Sequence, residues 1–220
     1  MHLNKSWNSK NIINYLNKSR SNFNDLYEGE KFLIKNFIKN DSNVLDIGCA
    51  QGGMYKILKK KFSKIKYTGL DFNKKMIDIA KKNFPNQNFY YYNGTNYKSF
   101  LKKKFDVVVI FGILHLNKNW KNILYNASKI TKKYILFDLR EQFKDEGIKN
   151  LFYLHLDFKK KSKKFLVPYI ILDKKKLNIF FEKKFKSFSH VEYSYLGNIS
   201  KYASQKNRIK FSNYCFKKNA

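Results

Sequence analysis

Between residues 43 and 139 the chain alternates short apolar runs with amphipathic helical stretches, a rhythm that few folds accept. The runs are Asn43–Ile47, Ile65–Leu70, Asn88–Tyr92, Phe105–Phe111 and Lys133–Leu139. Between most of them lies a helical pattern: Met54, Ile57, Leu58 and Phe62 on one side of the first, then Lys74–Asn83 and Asn119–Ile130. A strand that rejoins its sheet through a helix does so by a right-handed crossover, so the pattern predicts βαβ units and a parallel sheet. Val107-Val108-Val109-Ile110 has no polar face, as a central strand covered on both sides requires.

Both flanks depart from this rhythm. Ahead of it, Ile12, Ile13, Tyr15 and Leu16 form one helical face and Phe32, Leu33, Phe37 and Ile38 another, the second opened by Glu28 and Glu30, where the macrodipole favours acids. Behind it, Leu151–Phe158 and Phe165–Leu172 flank a Lys/Ser turn and predict a β-hairpin. Lys174–Lys183 reads as a helix, and His190–Leu196 and Ile209–Phe216 as two late strands. With no internal repeat and no long linker, 220 residues predict a single α/β domain.

The chemistry sits where the first run ends. The chain there reads Asp46-Ile47-Gly48-Cys49-Ala50-Gln51-Gly52-Gly53, and the next run closes on Asp71. A tight glycine turn at the carboxyl edge of a parallel sheet lets backbone approach a ligand, and an acid ending the second strand can accept both hydroxyls of a ribose. The glycines are spaced GxxxGG, not GxGxxG as in nicotinamide-dinucleotide folds. An acid two residues before the first glycine suits a cationic amine or an ordered water, which a pyrophosphate does not need.

Val44–Gly53 with Tyr67–Asp71 resembles motifs I and II of the class I, seven-stranded S-adenosylmethionine-dependent methyltransferases, and Phe105–Leu116 is similar to that family's fourth-strand motif. The resemblance spans roughly residues 40–140 in the right order. It implies a Rossmann-like, mostly parallel sheet flanked by helices, with S-adenosyl-L-methionine as cofactor. It also implies a helical lid over 1–40, a cofactor-binding core over 41–140, a hairpin insertion over 141–172, and a C-terminal helix with antiparallel strands over 173–220. By position, Asp46, Gly48 and Gly52 are expected to line the methionine end of the cofactor, with Cys49 and Ala50 in the same loop. Asp71 is expected to hold the ribose hydroxyls and Phe72 to lie against the adenine, with Met76 and Phe111 completing the set. Gly94-Thr95 falls where the family often has Gly-Asp; Thr95 carries no charge, so Asn93 or Asn96 is the expected substitute. Ala50 replaces a frequent glycine, with a small loss of backbone freedom as the expected effect. Cys49 is expected to pack, not to react.

His115, just beyond the fourth run, is the candidate general base, because an imidazole near its ordinary pKa suits proton removal from a hydroxyl or ammonium. Arg140, directly after the fifth run, is the candidate clamp for a carboxylate or phosphate; an ion pair with Glu141 or Glu146 is the structural alternative. Tyr27 in the lid and His155 on the hairpin are further substrate-facing candidates, whereas Arg20 and Glu30 are expected to be ordinary packing or solvent-exposed residues. No metal ligands are expected. The segment after the fourth run lacks both the Asn/Asp-Pro-Pro-Tyr/Phe of base-amino methylation and a thiol for pyrimidine chemistry.

The formal net charge of +30 bears on the choice of substrate. All the basic residues except Arg20, Arg140 and Arg208 are lysines, scattered in pairs and triplets, and the other over-used residues (Asn, Ile, Phe, Tyr) share A/T-rich codons with Lys. Nucleic-acid readers lean on arginine, so the charge reads as a solvated, compositional surface. Cys49 and Cys215 build no disulfide framework, the first ten residues carry no apolar signal region, and Val107–Leu116 is too short to span a bilayer, so a cytoplasmic location without a membrane partner is expected. The reading is methyl transfer to an O or N atom of a small metabolite or sugar derivative, an anionic one included, by a monomer or homodimer. An RNA methyltransferase using the lysine-rich surface and a non-catalytic cofactor-binding scaffold are the alternatives.

Overall fold

The computed structural model describes residues 7–92, 104–143, 151–155, 166–198 and 208–219. In chain order the helices are α1 (Lys10–Ser19), α2 (Glu28–Phe37), α3 (Gly53–Lys61), α4 (Lys74–Asn83), α5 (Trp120–Ile130) and α6 (Lys174–Lys184). The strands are β1 (Asn43–Ile47), β2 (Lys66–Asp71), β3 (Asn88–Tyr91), β4 (Phe105–Ile110), β5 (Thr131–Glu141), β6 (Leu151–His155), β7 (Leu166–Ile170), β8 (Phe188–Asn198) and β9 (Arg208–Lys218).

One seven-stranded sheet runs in the order β3-β2-β1-β4-β5-β9-β8. It is parallel except for β9, which lies antiparallel between β5 and β8. The apolar run of β4 is explained by its two faces. Val108 and Ile110 pack with Leu124 of α5 and Phe181 of α6, while Val107 and Val109 pack with Leu33 of α2 and Leu58 of α3. The period of two thus places alternate residues in opposite helical layers. Strand order reverses between β1 and β4, and the crevice outside their carboxyl ends is where such a sheet receives ligands.

Of the two N-terminal helices, α1 sits against that edge, whereas α2 packs on the sheet face through Leu33 and Ile34. Ile12 of α1 packs in one apolar cluster with Met76 of α4, Val167 and Tyr169 of β7, and Phe211 of β9. Gln51 Nε2 in the β1–α3 loop donates to the Ile13 carbonyl at 2.7 Å, tying α1 to the glycine turn. The expected hairpin is present as the separate β6–β7 sheet, paired from Leu151↔Ile170 to His155↔Leu166. The late strands are longer than their apolar runs, because β8 and β9 pair with each other along their whole length, carrying Ser, Lys and Asn residues into the ladder.

Candidate active site

A cavity of about 1200 Å³ opens at the carboxyl ends of β1, β2 and β4, beneath Ile12, Tyr15 and Leu16 of α1. At one end lies the glycine turn. Gly48 and Cys49 both donate their backbone N–H to the Leu70 carbonyl, at 2.7 and 3.0 Å, which clips the turn to β2. Gly48 has φ +87°, a left-handed conformation. Asp71 is locked beside it: one oxygen accepts from Ala50 N at 2.9 Å and the other from Asn73 N at 2.8 Å. Asp46 accepts the Tyr67 hydroxyl at 2.5 Å. Burial dominates both carboxyls and pushes each up to about 6, against the lowering effect of the Tyr67 hydrogen bond and Arg20 on Asp46 and of backbone N–H groups on Asp71. Buried, hydrogen-bonded and without a full counter-charge, Asp46 is suited to a cationic ammonium.

Phe72 is 36% exposed and meets the Trp7 ring edge-on, with centroids 6.4 Å apart. Both rings line the cavity, as do the buried Met76, Phe111 and Cys49. Burial, then Asp71 and Asp46, raise the Cys49 thiol well above its ordinary value, in keeping with a packing role. Gly52 stands apart: it is not in the cavity wall, and a Cβ there would lie 2.9 Å from the Phe84 and Phe89 rings. Its φ of +84° starts α3 under those rings.

Ala50 bears more than a small loss of freedom. It is held at φ +46°, a left-handed conformation that costs a residue with a Cβ about 1–2 kcal/mol. Part of that relief is offset by glycine's larger entropy loss on folding. Ala50→Gly is therefore expected to stabilise the fold by about 0.5–1 kcal/mol, read as a higher urea midpoint at unchanged slope.

The far end of the cavity is polar. Arg140 is 4% exposed, its Nη1 2.6 Å from Asp138 Oδ2 and its guanidinium 4.0 Å above the Phe211 ring. Its ion-pair partner is therefore Asp138 and not Glu141, which accepts the Tyr214 hydroxyl at 2.5 Å and faces Lys174 at 3.6 Å; Glu146 lies outside the described residues. Asp138 Oδ1 also accepts from Gly112 N at 2.5 Å. His115 sits in the 3₁₀ turn Leu114–Leu116, 7% exposed, with Nδ1 3.7 Å from Asp138 Oδ2 and its ring edge-on to Tyr169. Burial, then Arg140, pushes its pKa down to about 3, so the ring is neutral at physiological pH. Tyr27, at the start of α2, is exposed and lies 6.0 Å from Phe211. His155 occupies the end of β6, its side chain outside the described residues, as are Gly94 and Thr95.

Two residues expected to be peripheral belong to the wall. Arg20 Nη2 lies 2.5 Å from Glu30 Oε1, and Glu30 is almost fully buried. A Cβ on Gly112 would come within 3.3 Å of the Arg20 guanidinium, which therefore hangs over the end of β4. Two of the three arginines thus face one cavity, whereas among its described lining residues the sole lysine is Lys56.

Residues 44–134 match the family model described as a methyltransferase domain. No curated protein matches the sequence. Among solved structures, the chain is similar to YcgJ from Bacillus subtilis, at TM-score 0.61 and 12% identity, covering 87% of this chain and 98% of that one. TehB from Haemophilus influenzae gives TM-score 0.59 and 16% identity over 89% of this chain, which spans 63% of the TehB chain. Magnesium protoporphyrin IX methyltransferase from Synechocystis, crystallised with bound S-adenosylmethionine, gives TM-score 0.51 and 10% identity over 84% of this chain and 73% of that one. At these identities the likeness establishes the fold.

Proposed function

From a chain whose residues 44–134 form a methyltransferase domain of the S-adenosylmethionine-dependent type, we propose that the acceptor is an O or N atom of a small anionic metabolite or sugar derivative. One observation carries this reading: one cavity joins the Asp46–Asp71 crevice to Arg140 and His115, with Asp138 buried behind those two side chains. The cofactor supplies an activated methyl group. The chain's own task is then to hold acceptor, methyl and sulfur in line and to exclude water. The residues fit it: Asp46 for the ammonium, the bare Gly48 backbone for the methionine end, Asp71 for the ribose, and Phe72 with Trp7 for the adenine, over walls of Met76 and Phe111. Arg140 would clamp the acceptor's anion, and Tyr27 at the start of α2 would close over it beside α1 as the lid of a single domain. His115, held neutral but far less basic than the ordinary imidazole the sequence suggested, would take the proton once its basicity is raised. Among the described lining residues lysine is represented by Lys56 alone, which favours a small acceptor over RNA. Among the described residues no helix is long and apolar enough to cross a membrane.

The test supplies methyl-labelled cofactor to a cell extract and follows the label. Label in the small-molecule fraction is expected; label in RNA would overturn the reading. His115→Ala should slow turnover by about 10²-fold; unchanged turnover with an unchanged pH profile would remove His115 as base.

The two carboxyls near 6 also set a pH dependence. Their folded pKa values lie above the ordinary carboxylate range, so their contribution to the stability of the empty protein is greatest in acid and is lost as pH rises through about 6. Ligand binding runs the other way, because the ammonium requires ionised Asp46. Affinity for S-adenosylhomocysteine should therefore fall by about tenfold per pH unit for each carboxyl protonated below about pH 6, as calorimetry from about pH 7 to about pH 5 would record.

A further inference from the structure

Asp138 is shared between two groups that the proposed function uses separately. Its Oδ2 lies 2.6 Å from Arg140 Nη1 and 3.7 Å from His115 Nδ1, while Gly112 N fixes Oδ1. Arg140 Nε and His115 Nδ1 are both buried without a hydrogen-bond partner, and both residues line the cavity. The charged and titratable groups facing His115 are Asp138 and Arg140 from β5, Arg20 from the segment after α1, and Tyr169 from β7, which also hydrogen-bonds Arg140. A buried polar atom left unpaired is costly, and here two residues that each carry one share a single carboxylate that cannot fully serve both.

We propose that Asp138 is a positioning residue that couples anion binding at Arg140 to the basicity of His115. An anionic group on the acceptor seats against Arg140 Nε and takes over part of the neutralisation of the guanidinium. Asp138 is then released to hold the Nδ1–H of His115, which leaves Nε2 as the accepting nitrogen. In the transfer, the acceptor lone pair forms the new bond to the methyl carbon. The carbon–sulfur bond breaks with its electron pair remaining on sulfur, and the acceptor's proton passes to Nε2, which returns it to water. The acceptor's own charge thus completes the base, and a neutral analogue would lose turnover as well as affinity. Burial and the two arginines hold the ring far below its ordinary value against the pull of Asp138. An anion at hydrogen-bond range of Arg140 reverses one of those influences, and a charge that close moves a pKa by about 1–3 units.

This inference rests on the methyltransferase reading of the same cavity, and the experiment separates the two. The full-length protein, labelled with ¹⁵N in its histidine rings, is titrated with inorganic phosphate in the presence and absence of S-adenosylhomocysteine. The His115 ring signals should move saturably toward the Nδ1-protonated form and its apparent pKa should rise by about one unit or more. His190, packed against Phe181 and Phe216 on β8, should stay still. Asp138→Asn should bind phosphate as well or several-fold more tightly while its His115 response disappears. Tyr169→Phe, which keeps the packed ring, should weaken phosphate several-fold and keep the response. A merely structural Asp138 would lose both readouts together. A silent His115 in the native protein, or a full response in Asp138→Asn, would overturn the coupling. Failure to bind S-adenosylhomocysteine would instead overturn the functional reading, with the phosphate titration of the empty protein still deciding the coupling.

Discussion

Asp71→Asn should weaken S-adenosylhomocysteine binding by roughly 10²–10³-fold, because two charge-assisted hydrogen bonds to a ribose are each worth about 1.5–3 kcal/mol. The same substitution should also destabilise the empty protein. Both oxygens of Asp71 accept backbone N–H groups, from Ala50 and Asn73, so an amide there must aim its own NH₂ at one of them. One donor is then left facing another in a buried site, a loss of about 1–3 kcal/mol. Asp46→Asn makes the informative contrast. Its partner is the Tyr67 hydroxyl, which can turn to donate to the amide oxygen, and the substitution removes a carboxyl that burial already disfavours in its charged form. Asp46→Asn should therefore leave the empty protein as stable or more so, while binding falls by about tenfold or more for want of the ammonium's counter-charge. Calorimetry and urea unfolding on the two variants decide it. Equal, small binding losses in both would mean that neither carboxylate touches the ligand.

The sequence makes the architecture legible because each element announces itself locally. β1 and α4 fall on the predicted residues, since an apolar run that ends in Asp-x-Gly and a helix led by Asn73 carry their own boundaries. The lengths of β8 and β9 are not local: their ends are made of Lys, Ser and Asn, and they are strands because they pair with each other. The same division holds for the site. Asp46, Gly48 and Asp71 are visible as a motif, and the cavity contains all three. Arg20, Glu30 and Asp138 carry no such motif: they are placed by pairing, Arg20 with Glu30 ten residues on, and Asp138 with Arg140 two residues on and with His115 from the turn after β4. Two signals for them are present nonetheless. Asp138 is an acid inside the apolar stretch Tyr134–Leu139, and a buried acid needs a partner, which proves to be Arg140. Arginine is scarce in this chain, and two of its three arginines, Arg20 and Arg140, stand in the cavity wall, where planar, multi-donor geometry is useful.

Gly48→Ala is expected to cost about 2–5 kcal/mol of stability. Two independent effects add. At φ +87° a Cβ is strained whatever the surrounding space, and the new methyl would stand 2.7 Å from Ile113 Cγ2 and 3.1 Å from its Cδ1. Ile113 must turn aside, and it lines the same cavity, so binding of S-adenosylhomocysteine should fall along with the urea midpoint. Two residues on, Ala50 already carries a Cβ at positive φ, so its exchange for glycine should move stability in the opposite direction. The pair isolates contact from conformation. If strain alone governed the turn, Gly48→Ala would cost only what Ala50→Gly returns; the excess measures how closely the β1 turn and the Ile113 segment must approach to shape the crevice. A Gly48→Ala loss no larger than the Ala50→Gly gain, with ligand affinity intact, would show that Ile113 yields freely and that the turn is not set by that contact.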